Sequence, residues 1–520
     1  MGAAETLVAE CEARLAPLDA AANRAWWDAN TDTSGATERA RADAELALSD
    51  ALADRAMHDD LTGAAAATDP ASPAGRAVEL LRLATVAHQA DPGLRRRIID
   101  LQSSVESRFA GHRGEIDGRP ADDNAIHDIL RTATDPERRR AAWEASKSVG
   151  AAVADDVRQL ARLRNDAARE LGFRDHFAMA LATTEFDERR LFRTLEQVDE
   201  ITREPFARLK DELDSVLAAR FGTDRDALRP WHYDDPFFQE APHALGVDLD
   251  PLLGGADLPA LTDATFAGIG IDVAPALAVS DLLPRPGKNQ HAFCIDIDRA
   301  GDVRVLANCE PGAYWAETML HEFGHAAYDL GVDPALPWSL RTMHMCVTEG
   351  VAMRTGRLVH DADWLHVVAG APARAVAEAA PRLGEYRRAE LLVFARWVLV
   401  MTHFERGLYA NPDGPHDRRW WDLVERYQLV RRPDDRDAPD CAAKIHVAVA
   451  PCYYHNYLYG ELIASQLARA AGPLVDAPDA GRFLSDRVFA PGASLRWDRL
   501  VEAATGAPLT AAVLAAELTG

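Results

Sequence analysis

His321-Glu322-Phe323-Gly324-His325 holds residue types at a spacing that can do chemistry. In a helix, positions i and i+4 project from one face. Two imidazoles so placed can bind one Zn²⁺, and the carboxylate between them can act on a water there. At this histidine content the H-E-x-x-H pattern arises by chance about 0.04 times per chain of this length. A buried helix face with two metal-free histidines is therefore the weaker reading. A catalytic zinc needs a third protein ligand and an open position. Tyr328 stands where the metzincin continuation requires Gly, and no His follows at that spacing. Three other residues compete: Glu349, 28 residues after His321; His344; and Asp329, one turn after His325. Glu349 is favoured because it sits among Cys346, Val347, Val351, Ala352 and Met353. A carboxylate buried there needs a partner. With His321, His325 and Glu349 as ligands, Glu322 would take a proton from water and pass it to a leaving amine. The chemistry these residues imply is amide-bond hydrolysis.

A second constellation lies at 444–460, KIHVAVAPCYYHNYLYG. Tyr454 and Tyr457 are spaced i, i+3 and would share a helix face. His446 comes just before them. Phenols and an imidazole can donate to a developing oxyanion; the ordinary alternative is a tyrosine-rich core helix. Lys444 draws notice because the chain has four lysines against 53 arginines. An ammonium is a compact charge that a guanidinium does not duplicate.

The elements that must position these residues read mainly as helix. Residues 4–58 predict two long helices around a loop near Thr31–Thr33, and 75–110 predict more helix. A polar break covers 111–123, and helix returns from Ala125 to about Leu171 with a start signal at Asp135-Pro136-Glu137. Residues 186–220 read as one amphipathic helix, and 221–290 as loops with short helices. His291–Asp298 and Asp302–Asn308 alternate with period two and predict a β-hairpin. A helix follows from about Tyr314 to Leu330, stopped by Gly331, and helix dominates from Pro337 onward.

The chain has 520 residues, 57 basic and 82 acidic, for a formal charge of −25. Apolar residues make up 48% and charged residues 27%, which are globular values. The acidic balance excludes a phosphate-reading nucleic-acid binder and a protein docking on anionic lipid. No apolar run reaches the roughly 18–20 residues of a membrane helix. The start, MGAAETLVAECEARL, lacks the pattern of a secretory signal. Gly2 and Thr6 meet the loose myristoylation pattern, which is short enough to arise by chance. Six scattered cysteines without a C-x-x-C pair read as reduced and cytoplasmic.

With these residues in view, the sequence resembles the peptidyl-dipeptidase A family of angiotensin-converting-enzyme-like zinc peptidases, and more distantly the thimet-type oligopeptidases. Asn23 to Thr33 resembles the family's A-N-x-x-Y-N-T-N-T region. Arg164-Asn165-Asp166-x-Ala168-Arg169 resembles K-N-E-x-A-R. Trp420-Trp421-Asp422-Leu423 with Arg426-Tyr427-Gln428 resembles W-W-x-L…K-Y-Q, and Lys444-Ile445-His446 resembles K-F-H. The resemblance runs from about residue 20 to about 470.

The resemblance implies a mainly α fold: a large helical ellipsoid with a deep central cleft and a small β-hairpin next to the zinc helix. It implies one peptidase domain over 1–520, with two helical lobes and a zinc-binding core at about 287–470. It implies one Zn²⁺ on His321, His325 and Glu349, with Glu322 as general base and His446 and Tyr457 as oxyanion donors. Tyr457 requires a one-residue insertion after His446; otherwise Asn456 takes that place. Gln239, Lys444 and Tyr454 match the residues that hold the substrate's terminal carboxylate, which would make the enzyme release C-terminal dipeptides from short peptides. His291-Ala292-Phe293 resembles the family's substrate-pairing edge strand. Three departures stand out. Met353 replaces the carboxylate expected one turn after the third ligand. Val424 and Asn456 replace the arginines that bind activating chloride, which argues against chloride activation. Cys294 and Cys309 match a family disulfide, although free thiols are expected here. A thimet-type oligoendopeptidase and a non-catalytic peptide-binding protein on the same scaffold are the alternative readings.

Overall fold

The computed structural model describes residues 2–519 apart from Thr33, Asp122, His243, Ala244, Gly254, Gln290 and Asp435. The fold is mainly α, as expected. Among the described residues there are two small antiparallel sheets, β1 (Gly114–Ile116) with β2 (Arg119–Ala121), and β3 (Phe293–Asp296) with β4 (Val303–Leu306). No helix among those residues is long and apolar enough to cross a membrane.

The chain divides into two compact units, each built from three segments. The first comprises Met1–Gln89, Asp248–Pro381 and Tyr459–Thr510; the second comprises Ala90–Val247, Arg382–Leu458 and Ala511–Gly520. Of the residues 287–470, 287–381 and 459–470 fall in the first unit and 382–458 in the second.

In the first unit, helices Ala3–Thr31, Gly35–Leu52, Arg55–Ala67 and Pro73–Val86 follow one another. The two predicted helices are Ala3–Thr31 and Gly35–Leu52, and the second ends short of residue 58 because Asp54 caps a new helix by accepting from Ala56 and Met57 N–H. Thr33, within the predicted loop, lies outside the described residues. Val8, Leu15, Leu61, Val78 and Leu81 form a core with Leu340. The hairpin is shorter than its alternation suggested. Its ladder runs from Phe293↔Leu306 to Asp296↔Val303. Beyond it, Asp296 Oδ1 accepts from Asp298 and Arg299 N–H, turning the chain, and Arg299 takes φ 55°.

In the second unit, Asp135 caps the 35-residue helix Pro136–Glu170 through Glu137 N–H, as the start signal implied. Arg164 Nη2 donates to Ala448 O at 2.5 Å, and Asn165 Nδ2 to Tyr409 O at 2.7 Å. The Arg-Asn pair thus ties this helix to two later segments. The polar break at 111–123 contains the β1–β2 hairpin, which its composition concealed. A Cβ on Gly114 would come within 2.7 Å of Ala145, so β1 lies hard against the long helix.

Candidate metal centre and peptide-binding residues

The H-E-x-x-H motif sits in the helix Ala313–Gly331 of the first unit. Asp250 Oδ1 accepts the Ala313 N–H at 2.9 Å, satisfying an orphan donor at the helix start. β3 and β4 pack against this helix. The helix Met345–Gly356 crosses it at Gly324, where a Cβ would stand 2.8 Å from Ala352 Cα. Thr355 Oγ1 clips the pair by donating to Leu320 O at 2.7 Å. On its other side, Gly460 approaches Glu349: a Cβ there would be 2.8 Å from Glu349 Cβ. Glycine in a helix interior costs about 1 kcal/mol relative to alanine. Here its missing side chain lets two backbones meet.

This crossing brings His321, His325 and Glu349 together, with one donor atom from each within 4.8 Å of the others. His321 Nε2 lies 3.7 Å and His325 Nε2 4.0 Å from Glu349 Oε2. Ligand atoms around a tetrahedral zinc lie about 3.4 Å apart, and these two spacings are close to that. Two nitrogens and one carboxylate oxygen also match the donor types of a catalytic zinc. Burial lowers His321 to about 4. Burial, and then the neighbouring His321, push His325 well below its usual value. Both rings stay neutral at pH 7 and keep a lone pair for a metal. Glu322, 9% exposed, is raised to about 8, first by burial and then by the Glu349 charge. A hydrogen bond from the Cys294 backbone N–H opposes part of that rise.

Among the described residues, Asp329 and His344 lie outside the donor cluster. His344 instead caps the Met345–Gly356 helix, its Nδ1 accepting from Cys346 N–H at 3.3 Å. Asp329 is pushed well above the carboxylate range by burial and by Asp296. Met353 Sδ would meet a Cβ on Gly460 at 3.0 Å, and so fills space where a carboxylate was expected. His325 Nδ1 lies 2.5 Å from Thr348 Oγ1. All six cysteines are free thiols, Cys294 and Cys309 included.

His291 and Ala292 precede the first ladder pair of β3 rather than joining it. His291 is exposed, and its N–H donates to Asn289 Oδ1 at 3.0 Å. Along β3, Asn23 Nδ2 reaches the carbonyls of Asp296 and Ile297, both at 3.3 Å.

The second unit holds the other predicted residues. Lys444 Nζ donates to Gln239 Oε1 at 2.8 Å and lies 5.8 Å from the Tyr454 ring centre. Burial lowers Lys444 to about 8, and burial raises Tyr454. The His446 ring is 5.0 Å and the Tyr457 ring 5.5 Å from that of Tyr454. Asn456 is buried with its amide on Tyr453 O at 3.2 Å, whereas Tyr457 is half-buried. Val424 lines a small cavity with Trp143, Lys147, Trp421 and Gln428.

One supporting residue, Asp235, escaped the sequence reading, and another, Gln428, was named there only as part of a motif. Asp235 Oδ1 accepts from Phe237 N–H at 2.8 Å and Gln239 N–H at 3.0 Å, which turns the loop that aims Gln239. Gln428 Nε2 donates to Phe237 O and Phe238 O at 3.0 and 2.7 Å, holding that loop from its other side. Asp235-Pro236 was the available signal, since Asp before Pro favours a turn. Gln428 stood in the Arg426-Tyr427-Gln428 motif, but its bonds to the Phe237–Phe238 loop come from tertiary structure.

The family model described as angiotensin-converting enzyme, a peptidase family, matches residues 2–207, or 206 of the 520 residues. No curated protein matches the chain. The family match supports the resemblance drawn from the motifs. The candidate metal-site residues lie beyond the matched segment, so their geometry is a separate observation.

Proposed function

Taking the chain as an angiotensin-converting-enzyme-like peptidase, we propose that it is zinc-dependent and releases dipeptides from the C-terminus of short peptides. The observation that carries this reading is the His321–His325–Glu349 donor set beside the buried carboxyl of Glu322. Zinc bound there supplies a Lewis acid that polarises the scissile carbonyl and acidifies water. Glu322, ionised once a cation sits beside it, accepts the water's proton and delivers it to the leaving nitrogen. His446 and Tyr457 donate to the oxyanion. Tyr457 is preferred over Asn456 because Asn456 is buried whereas Tyr457 is half-buried. Lys444, Gln239 and Tyr454 hold the terminal carboxylate, which fixes the cleavage point by distance from the C-terminus. Their convergence, with Lys444 and Gln239 at 2.8 Å, supports that role. His291 and Ala292, leading into β3, pair with the extended substrate backbone.

The test is mass spectrometry of products from an unmodified octapeptide and its C-amidated twin, each with and without chelator. Chelator-sensitive loss of C-terminal dipeptides from the free acid alone is expected. Internal cleavage of both peptides would replace this reading with an oligoendopeptidase. Absence of cleavage with zinc bound would point to a peptide-binding scaffold.

A further inference from the structure

We propose that Thr348 is the positioning residue for His325, holding its ring so that Nε2 is the atom offered to the metal. The inference rests on the zinc reading above and adds a residue that neither the motif nor the family match assigns.

A neutral imidazole has one N–H and one lone pair, and the hydrogen bond made at one nitrogen decides which role the other takes. His325 turns Nε2 toward Glu349 Oε2 at 4.0 Å and Nδ1 toward Thr348 Oγ1 at 2.5 Å. When Nδ1–H donates to the hydroxyl, the lone pair is left on Nε2, on the side of the donor cluster. The opposite tautomer would put a hydrogen where a ligand must be. Thr348 is 1% exposed and the His325 side chain 13%, so water competes little for this bond. The His321 side chain is more open, at 30% exposed.

Threonine suits the task for two physical reasons. Its β-branch restricts χ1, so Oγ1 is held in place rather than sampled. Its hydroxyl is also uncharged. A carboxylate acceptor would add another negative charge beside Glu322 and Glu349, whose proximity already raises Glu322. Met353 leaves the position one turn beyond Glu349 apolar, and Thr348, immediately before Glu349, supplies the acceptor from the same helix. The crossing at Gly324 is what puts Oγ1 within reach.

The experiment compares wild type, Thr348→Val and Thr348→Ser. Valine keeps the shape and removes the hydroxyl; serine keeps the hydroxyl. Zinc dissociation constants are measured by competition with a chromophoric chelator, and circular dichroism of the metal-free proteins checks the fold. Losing an outer partner of a metal-bound histidine weakens affinity by about 10–100-fold. That loss is expected for valine, with serine within about threefold of wild type. Valine binding zinc as tightly as wild type would overturn the inference while leaving the zinc reading intact. Serine as weak as valine would overturn it too, because side-chain shape rather than the hydroxyl would be at work. A wild-type protein that takes up no stoichiometric zinc would sink the zinc reading itself. If the valine variant does not fold, Thr348→Ala gives the same comparison.

Discussion

Gly324→Ala tests whether the crossing of two helices sets the metal geometry. The added Cβ would stand 2.8 Å from Ala352 Cα and 3.3 Å from Ala352 N, and would also strike Thr355 Oγ1. That hydroxyl cannot simply swing away, because it is bonded to Leu320 O at 2.7 Å. Carbon atoms rest at about 3.5–4.0 Å, so the helices must part by roughly 0.7 Å or more. Over-packing of this kind costs about 1–3 kcal/mol, and alanine returns about 1 kcal/mol of helix propensity. The metal-free protein should therefore lose about 0–2 kcal/mol in chemical denaturation. Zinc binding should suffer more. Metal–ligand distances tolerate only about 0.2 Å, and this crossing joins the helix of His321 and His325 to that of Glu349. Zinc affinity by chelator competition should fall at least about tenfold. Affinity within twofold of wild type, with an unchanged denaturation midpoint, would refute the claim that Gly324 sets the ligand spacing.

Glu322→Gln should retain zinc while lowering kcat by about 100-fold or more, measured on the free-acid octapeptide. The same variant isolates a pH effect on the metal-free protein. Glu322 is raised to about 8 when folded, so its native state holds the proton. Its contribution is complete below the unfolded value and is lost as pH rises through about 8. Wild type should thus lose denaturation midpoint relative to Glu322→Gln between pH 5 and 9, and a constant difference would remove the assigned shift. Lys444→Met should raise KM for the free-acid peptide about tenfold or more, with little change in any residual cleavage of the amide. In wild type, KM for the free acid should rise above pH 8, because burial lets the Lys444 ammonium lose its proton near there.

The residues that act through helical spacing were legible in the sequence. His321, Glu322 and His325 needed only an i, i+4 repeat, and the capping Asp135 before Pro136 announced its helix, because both are settled within one or two turns. Alternation marked the β3–β4 hairpin but overstated its length, since turn hydrogen bonds to Asp296 end the ladder early. The β1–β2 hairpin stayed hidden because its strands are three residues each, too short to alternate. Three residues competed for the third ligand position, and the crossing at Gly324 groups one of them, Glu349, with the histidines. Lys444 meets Gln239 across 205 residues, and Thr348 meets His325 across 23. Sequence by itself determined the motif, its helix and the mainly α class, because hydrogen bonding and side-chain direction within a helix are local. Only the tertiary structure decided which carboxylate lies beside the histidines and which hydroxyl meets one of them. Those contacts depend on how closely two helix backbones approach, and that distance is set where Gly324 leaves room for Ala352 and Thr355.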